Sequence, residues 1–417
     1  MRLRLNDTIL YLLALANALR LIVTQGLVFA EDSQSYLNAW HDSLALGLVD
    51  FTRTPTYPII LAILEAVGGS RFELLLIVVQ HFVFLLSVWV FRKLTRLLLS
   101  SSAAGWWLTL IYALLPYTTM WANRMLTETF AIAGTVFLFH QLVLFHQRPT
   151  LKRVFASTLW LLFLVFLRPA FLYLLPVCLL GWLMFWRRSA RLARFGLLGV
   201  ALVTLLEVGY CARYEARFGL FAPTNVSTVN FTYLAFHDGL MRPEYSDDPA
   251  FRSFIEHYDG SEPISYCPFP TIEQYGLTVV ADAIRASQHD QPLQWAMKAL
   301  HRFVEAADPH FAPLTSPRNL LVNAAKLVFN FATLYLFLLL FSILLIRRFF
   351  VRTSSLPKGE GRGEAPSLLL LAVVGNLFTA IVGAQGEWLR LITPSLTLLL
   401  LMAGLCFCAI FKPKHSI

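Results

Sequence analysis

Charge is scarce in this chain: Asp, Glu, Lys and Arg make up only 14% of its 417 residues. So few charges cannot cover a composition that is 57% hydrophobic, with a mean hydropathy of +0.62. A soluble fold is therefore excluded, and a polytopic membrane protein is expected. Cysteine is scarce as well. Cys178, Cys211, Cys267, Cys406 and Cys408 show no metal-ligand spacing with histidine. Cys178, Cys406 and Cys408 fall inside apolar runs, where a thiol packs as a small hydrophobe. Only Cys267, and Cys211 at a membrane edge, would meet an oxidising compartment, and spacing alone leaves their pairing open. The histidines do not cluster, and His81 and His140 within apolar runs read as packed or pore-facing rather than as ligands. There is no glycine-rich phosphate loop, no nucleophile elbow and no zinc-protease pattern, which excludes the commonest soluble-enzyme chemistries. No internal repeat is visible, which counts against the repeat-built transporter folds.

What is present is a series of apolar runs punctuated by basic clusters. The net charge of +9 is read as Lys and Arg pinned in cytoplasmic loops, not as a nucleic-acid surface. Ten spans are expected, at 8–29, 72–91, 97–121, 129–145, 154–167, 170–186, 195–212, 327–346, 367–384 and 391–411. The first is too long for a cleaved signal core of about 7–15 residues, so it should stay attached. A run at 58–68 is too short to cross and should pack at the interface. Each turn assigned to the inside carries Lys or Arg, including Arg92, Lys93 and Arg96, then Arg187, Arg188, Arg191 and Arg194. Both termini are then cytoplasmic, and the Gly-rich segment KGEGRGEAP at 358–366 is a flexible inside loop.

Three domains follow from this reading. Residues 1–212 form an N-terminal membrane module whose first outer loop is 30–58. Residues 213–323 form a mainly helical extracytoplasmic domain, with eight basic and thirteen acidic residues. Residues 324–417 form a C-terminal membrane module. Within the outer domain, 222–259 is mixed in pattern, 261–270 is proline-rich loop, and 272–287 and 292–307 have helical apolar spacing. Pro292 suits a first helical turn, and a short helix along the membrane face is expected there.

The chemistry-bearing residues gather on the predicted outer face. Glu31 and Asp32 stand where the first apolar run ends, with Tyr36 four residues on. Carboxylates near a bilayer are costly and raise a functional hypothesis, although the pair would also mark a simple membrane–water boundary. Glu128 opens the run at 129–145, where it would serve either as a helix-terminus charge or as a functional carboxylate. Arg53, Arg124, Arg168 and Arg390 are guanidiniums on the side that positive charge disfavours. Phosphate recognition would explain them, as would ion pairing with nearby carboxylates.

This order of motifs resembles the lipid-dependent membrane glycosyltransferases of the GT-C fold. It is most similar to their bacterial branch of protein mannosyltransferases and aminoarabinose transferases. The matching features are Asp32 with Tyr36, then Arg53, Pro55 and Tyr57, then Glu128, then the Arg168-Pro169 pair, then Arg390 ahead of Pro394. That family often has Asp-Glu at the first position, whereas here Asp32 is followed by Ser33 and preceded by Glu31.

The resemblance implies an integral-membrane glycosyltransferase, hexosyl or pentosyl, of a bacterial inner membrane. It would move a sugar from a polyprenyl-phosphate donor to a lipid, glycan or protein acceptor at the outer face. Asp32 would be the general base and Glu128 a second catalytic carboxylate. Glu31, Tyr36, Arg53, Tyr57, Arg168 and Arg390 would bind substrate. No cofactor or metal is implied. The same carboxylates and arginines would also serve a transporter or flippase of a lipid-linked sugar, or a non-catalytic assembly subunit.

Overall fold

The computed structural model describes residues 5–30, 32–45, 47, 49–99, 101–187, 189–258, 269–305, 368–376, 394 and 397–405. Among them helix is the only regular structure apart from one isolated bridge, Val28 with Arg124. The order begins α1 (Leu5–Gln25), α2 (Ser33–Ala45), α3 (Thr56–Gly68), α4 (Phe72–Leu98), α5 (Ser102–Leu114) and α6 (Pro116–Thr119). It continues α7 (Glu128–Gln147), α8 (Leu151–Leu167), α9 (Leu174–Phe185) and α10 (Ala190–Phe218). The last five are α11 (Val226–His237), α12 (Pro249–His257), α13 (Phe269–Tyr275), α14 (Leu277–Asp290) and α15 (Pro292–Glu305). Residues 368–376 and 397–405 are also helical.

Four stretches among the described residues are long and apolar enough to cross a membrane: α1, α3 with α4 as Thr56–Leu98, α7 and α10. The expected count of about ten does not follow from them. The expected span at 97–121 is broken, because Pro116 offers no N–H to continue the helix. What remains of it, α5, has 13 residues and reaches ~20 Å, short of the ~30 Å core. Helices α8 and α9 are present but have 17 and 12 residues. The expected spans at 367–384 and 391–411 are described only in part, and the one at 327–346 and the loop at 358–366 lie outside the described residues.

Boundaries shift where backbone chemistry overrides hydropathy. Helix α1 stops at Gln25 rather than 29, because Gly26 takes a left-handed φ of 61° and its N–H turns back to the Ile22 carbonyl. At the far end α10 continues past 212 to Phe218, where Gly219 (φ 76°) donates to the Glu215 carbonyl. The mixed region 222–259 contains α11 and α12. Helix α12 starts in a signal visible in the sequence: Asp248 accepts from the Phe251 N–H at 2.7 Å, and Pro249 occupies the first turn. Helix α15 begins at Pro292, as expected. Leu293 and Met297 on its apolar face are exposed, and Trp295 is the residue that packs inward, donating to Ser287 Oγ at 3.0 Å.

Helix α7 is the centre of the bundle. It is apolar on all sides and buried along nearly its whole length between α4 and α8. Helix α1 packs on α4 and α5, and α10 on α8 and α9. At one end of α1 the buried Asp7 carboxylate binds Arg92 Nε at 2.9 Å and also pairs with Arg96, fastening α1 to α4. A second apolar cluster joins Val49, Tyr210 and Tyr214 to helices α11 to α14 and Trp295. The segment 49–53 therefore lies where the two cores meet.

Candidate functional site

At the end of the bundle where α1 stops and α7 starts, four chain segments converge. Residues 27–30 run beside 123–125: Val28 N–H reaches the Asn123 carbonyl at 2.7 Å and Met125 N–H reaches the Val28 carbonyl at 3.2 Å. Ser33 Oγ then donates to the Met125 carbonyl at 3.0 Å, fixing the start of α2 against the approach to α7. Thr54 Oγ1 donates to the Leu167 carbonyl at 3.0 Å, so the residues next to Arg53 and Arg168 are hydrogen-bonded together. Tyr57 bridges the two halves: its ring meets Tyr36 edge-on at 5.0 Å and Phe130 at 5.9 Å. Tyr57 is fully buried and Tyr36 nearly so.

Two arginine–carboxylate pairs occupy this end. Arg53 holds Asp32 Oδ1 at 2.6 Å, donates to Ser35 Oγ at 2.8 Å and to Tyr36 Oη at 3.4 Å, and lies over the Tyr36 ring at 4.3 Å. Arg168 donates to Glu128 Oε1 at 2.9 Å. The first pair keeps access to solvent, with Asp32 32% exposed, whereas the Glu128 side chain is fully buried. Of the expected site residues, Asp32, Tyr36, Arg53, Tyr57, Glu128 and Arg168 are thus brought to one end. Glu31 and Arg390 lie outside the described residues. Arg124, at the same end, stacks toward Trp121 at 5.3 Å. Cys211 is a free buried thiol and Cys267 lies outside the described residues. Among the described residues no three His, Cys, Asp or Glu side chains gather as a metal site would need.

Other positioning residues escape a sequence reading. Gln80 Nε2 donates to the Ala122 and Arg124 carbonyls at 3.1 and 2.9 Å. His81 Nε2 meets Asn123 Oδ1 at 2.9 Å, and Asn123 Nδ2 donates to the Leu21 and Gly26 carbonyls. These amides hold the 121–128 segment where Glu128 begins α7. Their partners are carbonyls distant in sequence, so no local signal marks them. Asp50 does carry a signal. An Asp two and three residues ahead of Thr52 and Arg53 is a typical Asx turn, and Asp50 Oδ1 accepts both N–H groups, at 2.8 and 2.6 Å.

No family model and no curated protein matches the sequence. Among solved structures, the Archaeoglobus fulgidus oligosaccharyltransferase in complex with zinc and sulfate aligns at a TM-score of 0.50 and 14% identity. The alignment covers 97% of this chain and 49% of that one, so the chain spans about half the length of this neighbour. The same archaeal enzyme, bound to an inhibitory peptide and a dolichol-phosphate, aligns at a TM-score of 0.47 and 14% identity, over 97% of this chain and 50% of that one. The chain that brings Asp32, Arg53, Glu128 and Arg168 together thus shares its helical fold with an oligosaccharyltransferase.

Proposed function

We propose that this protein is an integral-membrane glycosyltransferase that takes a sugar from a polyprenyl-phosphate carrier and gives it to an envelope acceptor, a lipid, a glycan or a protein. The observation that carries the reading is the gathering of two arginines and two carboxylates at one end of an apolar bundle. The fold shared with an oligosaccharyltransferase supports it. Arg offers several N–H donors in a planar fork, which suits a phosphate better than a lone cation would.

The chemistry follows from charge. An acceptor hydroxyl oxygen forms a bond to the anomeric carbon while the bond from that carbon to the carrier phosphate breaks. The electron pair leaves on the phosphate, whose charge Arg53, Arg168 and Arg390 would offset. The hydroxyl proton passes to Asp32 as general base. A direct displacement inverts the anomeric centre, through an oxocarbenium-like transition state. Asp32 starts out paired with Arg53 at 2.6 Å. A carrier phosphate competing for Arg53 would loosen that pair and open the carboxylate to the acceptor. Glu128, buried behind Arg168, would hold that guanidinium in place. The active end would face the outside of a bacterial inner membrane, with both termini cytoplasmic.

The test is turnover in detergent. Purified protein given a polyprenyl-phosphate sugar and an envelope extract should release polyprenyl phosphate and label an acceptor. Movement of intact lipid-linked sugar that needs sealed vesicles, with no release in detergent, would make it a transporter instead.

A further inference from the structure

One carboxyl group is left over by this chemistry. Glu207 lies within α10, is 6% exposed, and neither of its carboxyl oxygens has a hydrogen-bond partner among the described residues. Tyr210, three residues on and so on the same helix face, is 7% exposed, and its hydroxyl lies against the Asp50 backbone. Buried polar groups are nearly always satisfied, and each exception calls for an explanation. An ionisable side chain within an apolar span calls for one more strongly. A leucine would fill the same space without that penalty.

The location supplies the explanation. The Tyr210 ring meets Phe166 edge-on at 5.7 Å, and Phe166 stands two residues before Arg168. On its other side Tyr210 neighbours Asp50, whose carboxylate binds the Arg53 N–H at 2.6 Å. Tyr210 therefore sits between the two arginine-bearing segments, and Glu207 one turn deeper in the bundle. A sugar ring hung from a phosphate held by those arginines is about as long as that turn, ~5 Å.

We infer that Glu207 and Tyr210 form a subsite that receives hydrogen-bond donors of the carrier-linked sugar, its hydroxyls or an ammonium group, beneath the phosphate-binding arginines. Either protonation form of the carboxyl accepts such donors. A few well-placed polar groups in an otherwise apolar wall are what fixes a ligand's orientation. This subsite rests on the glycosyltransferase reading.

Binding measured by native mass spectrometry in detergent separates the two. The probes are bare polyprenyl phosphate, the same lipid bearing a neutral hexose, and the same lipid bearing an amino sugar. Glu207→Leu should weaken a glycosylated lipid tenfold or more, leave the bare lipid unchanged, and leave the unfolding temperature at or above that of the wild type. Glu207→Gln, which keeps shape and part of the hydrogen bonding, should lose less, and it carries the comparison if the leucine variant does not fold. Loss on the hexose lipid means hydroxyl recognition; loss confined to the amino sugar means an ammonium partner. If Glu207→Leu binds the glycosylated lipids like wild type, or loses the bare lipid equally, the subsite is overturned and the transferase reading stands. If wild type binds none of the three lipids, the transferase reading falls, and the subsite with it.

Discussion

Arg53 and Arg168 differ in how deeply their carboxylate partners are buried, and this separates what each substitution does. Asp32 keeps 32% of its side chain exposed, and Asp32→Asn removes a proton acceptor while Arg53 keeps the Ser35 and Tyr36 hydroxyls as acceptors. Turnover should fall by about 10²–10⁴-fold while donor binding survives, as single-turnover kinetics beside a lipid-binding assay would show. Near-normal turnover in Asp32→Asn with loss in Glu31→Gln would move the base one residue back. Arg168 partners a fully buried carboxylate, so Arg168→Ala should lower stability as well as donor affinity. Breaking a buried pair of this kind typically costs about 3–5 kcal/mol, and thermal unfolding in detergent would register it. The gathering of Asp32, Tyr36, Arg53 and Glu128 at one end is legible in the sequence, because each stands in a short local pattern beside an apolar run. Ser33 and Thr54 are not legible. Their roles depend on the Met125 and Leu167 carbonyls, 92 and 113 residues away.

Helix ends set by local backbone chemistry are legible in the sequence, and those set by packing are not. Pro292 marks the start of α15, whereas the basic residues Arg92, Lys93, Arg96, Arg191 and Arg194 lie inside α4 and α10 rather than at their ends, and the expected span at 97–121 hides the break at Pro116 inside an apolar run. Hydropathy also gives no hint that α7 is the core helix and α1 a peripheral one, since both read as ordinary apolar runs. Helix α10 offers a test of packing at this scale. A Cβ added at Gly196 would enter the Trp182 ring of α9, whereas one added at Gly209 meets nothing within 4 Å. Gly196→Ala should therefore destabilise by about 1–3 kcal/mol through overpacking. Gly209→Ala should be neutral or stabilising by up to about 1 kcal/mol, since Ala is the better helix former. The two unfolding temperatures should move in opposite directions, or Gly209→Ala should stay put.

The described residues form two apolar cores, with the arginine–carboxylate end at their junction. Composition announced the membrane bundle. The second core is not legible from local pattern, since its helices α11 to α14 pack with residues as far apart as Val49 and Trp295. The proposed orientation has a direct check: a cysteine probe placed at Ser261 should react with a membrane-impermeant reagent from outside, and one at Gly361 should not. The reverse pattern would turn the proposed active end inward. Finally, the buried Asp7–Arg92 contact joins residues 85 apart along the chain. During synthesis at about 5–20 residues per second, Asp7 waits about 4–17 s for its partner to be made. Through that interval α1 has no native neighbour for its buried carboxylate, so it crosses or awaits the membrane undocked until α4 has been made.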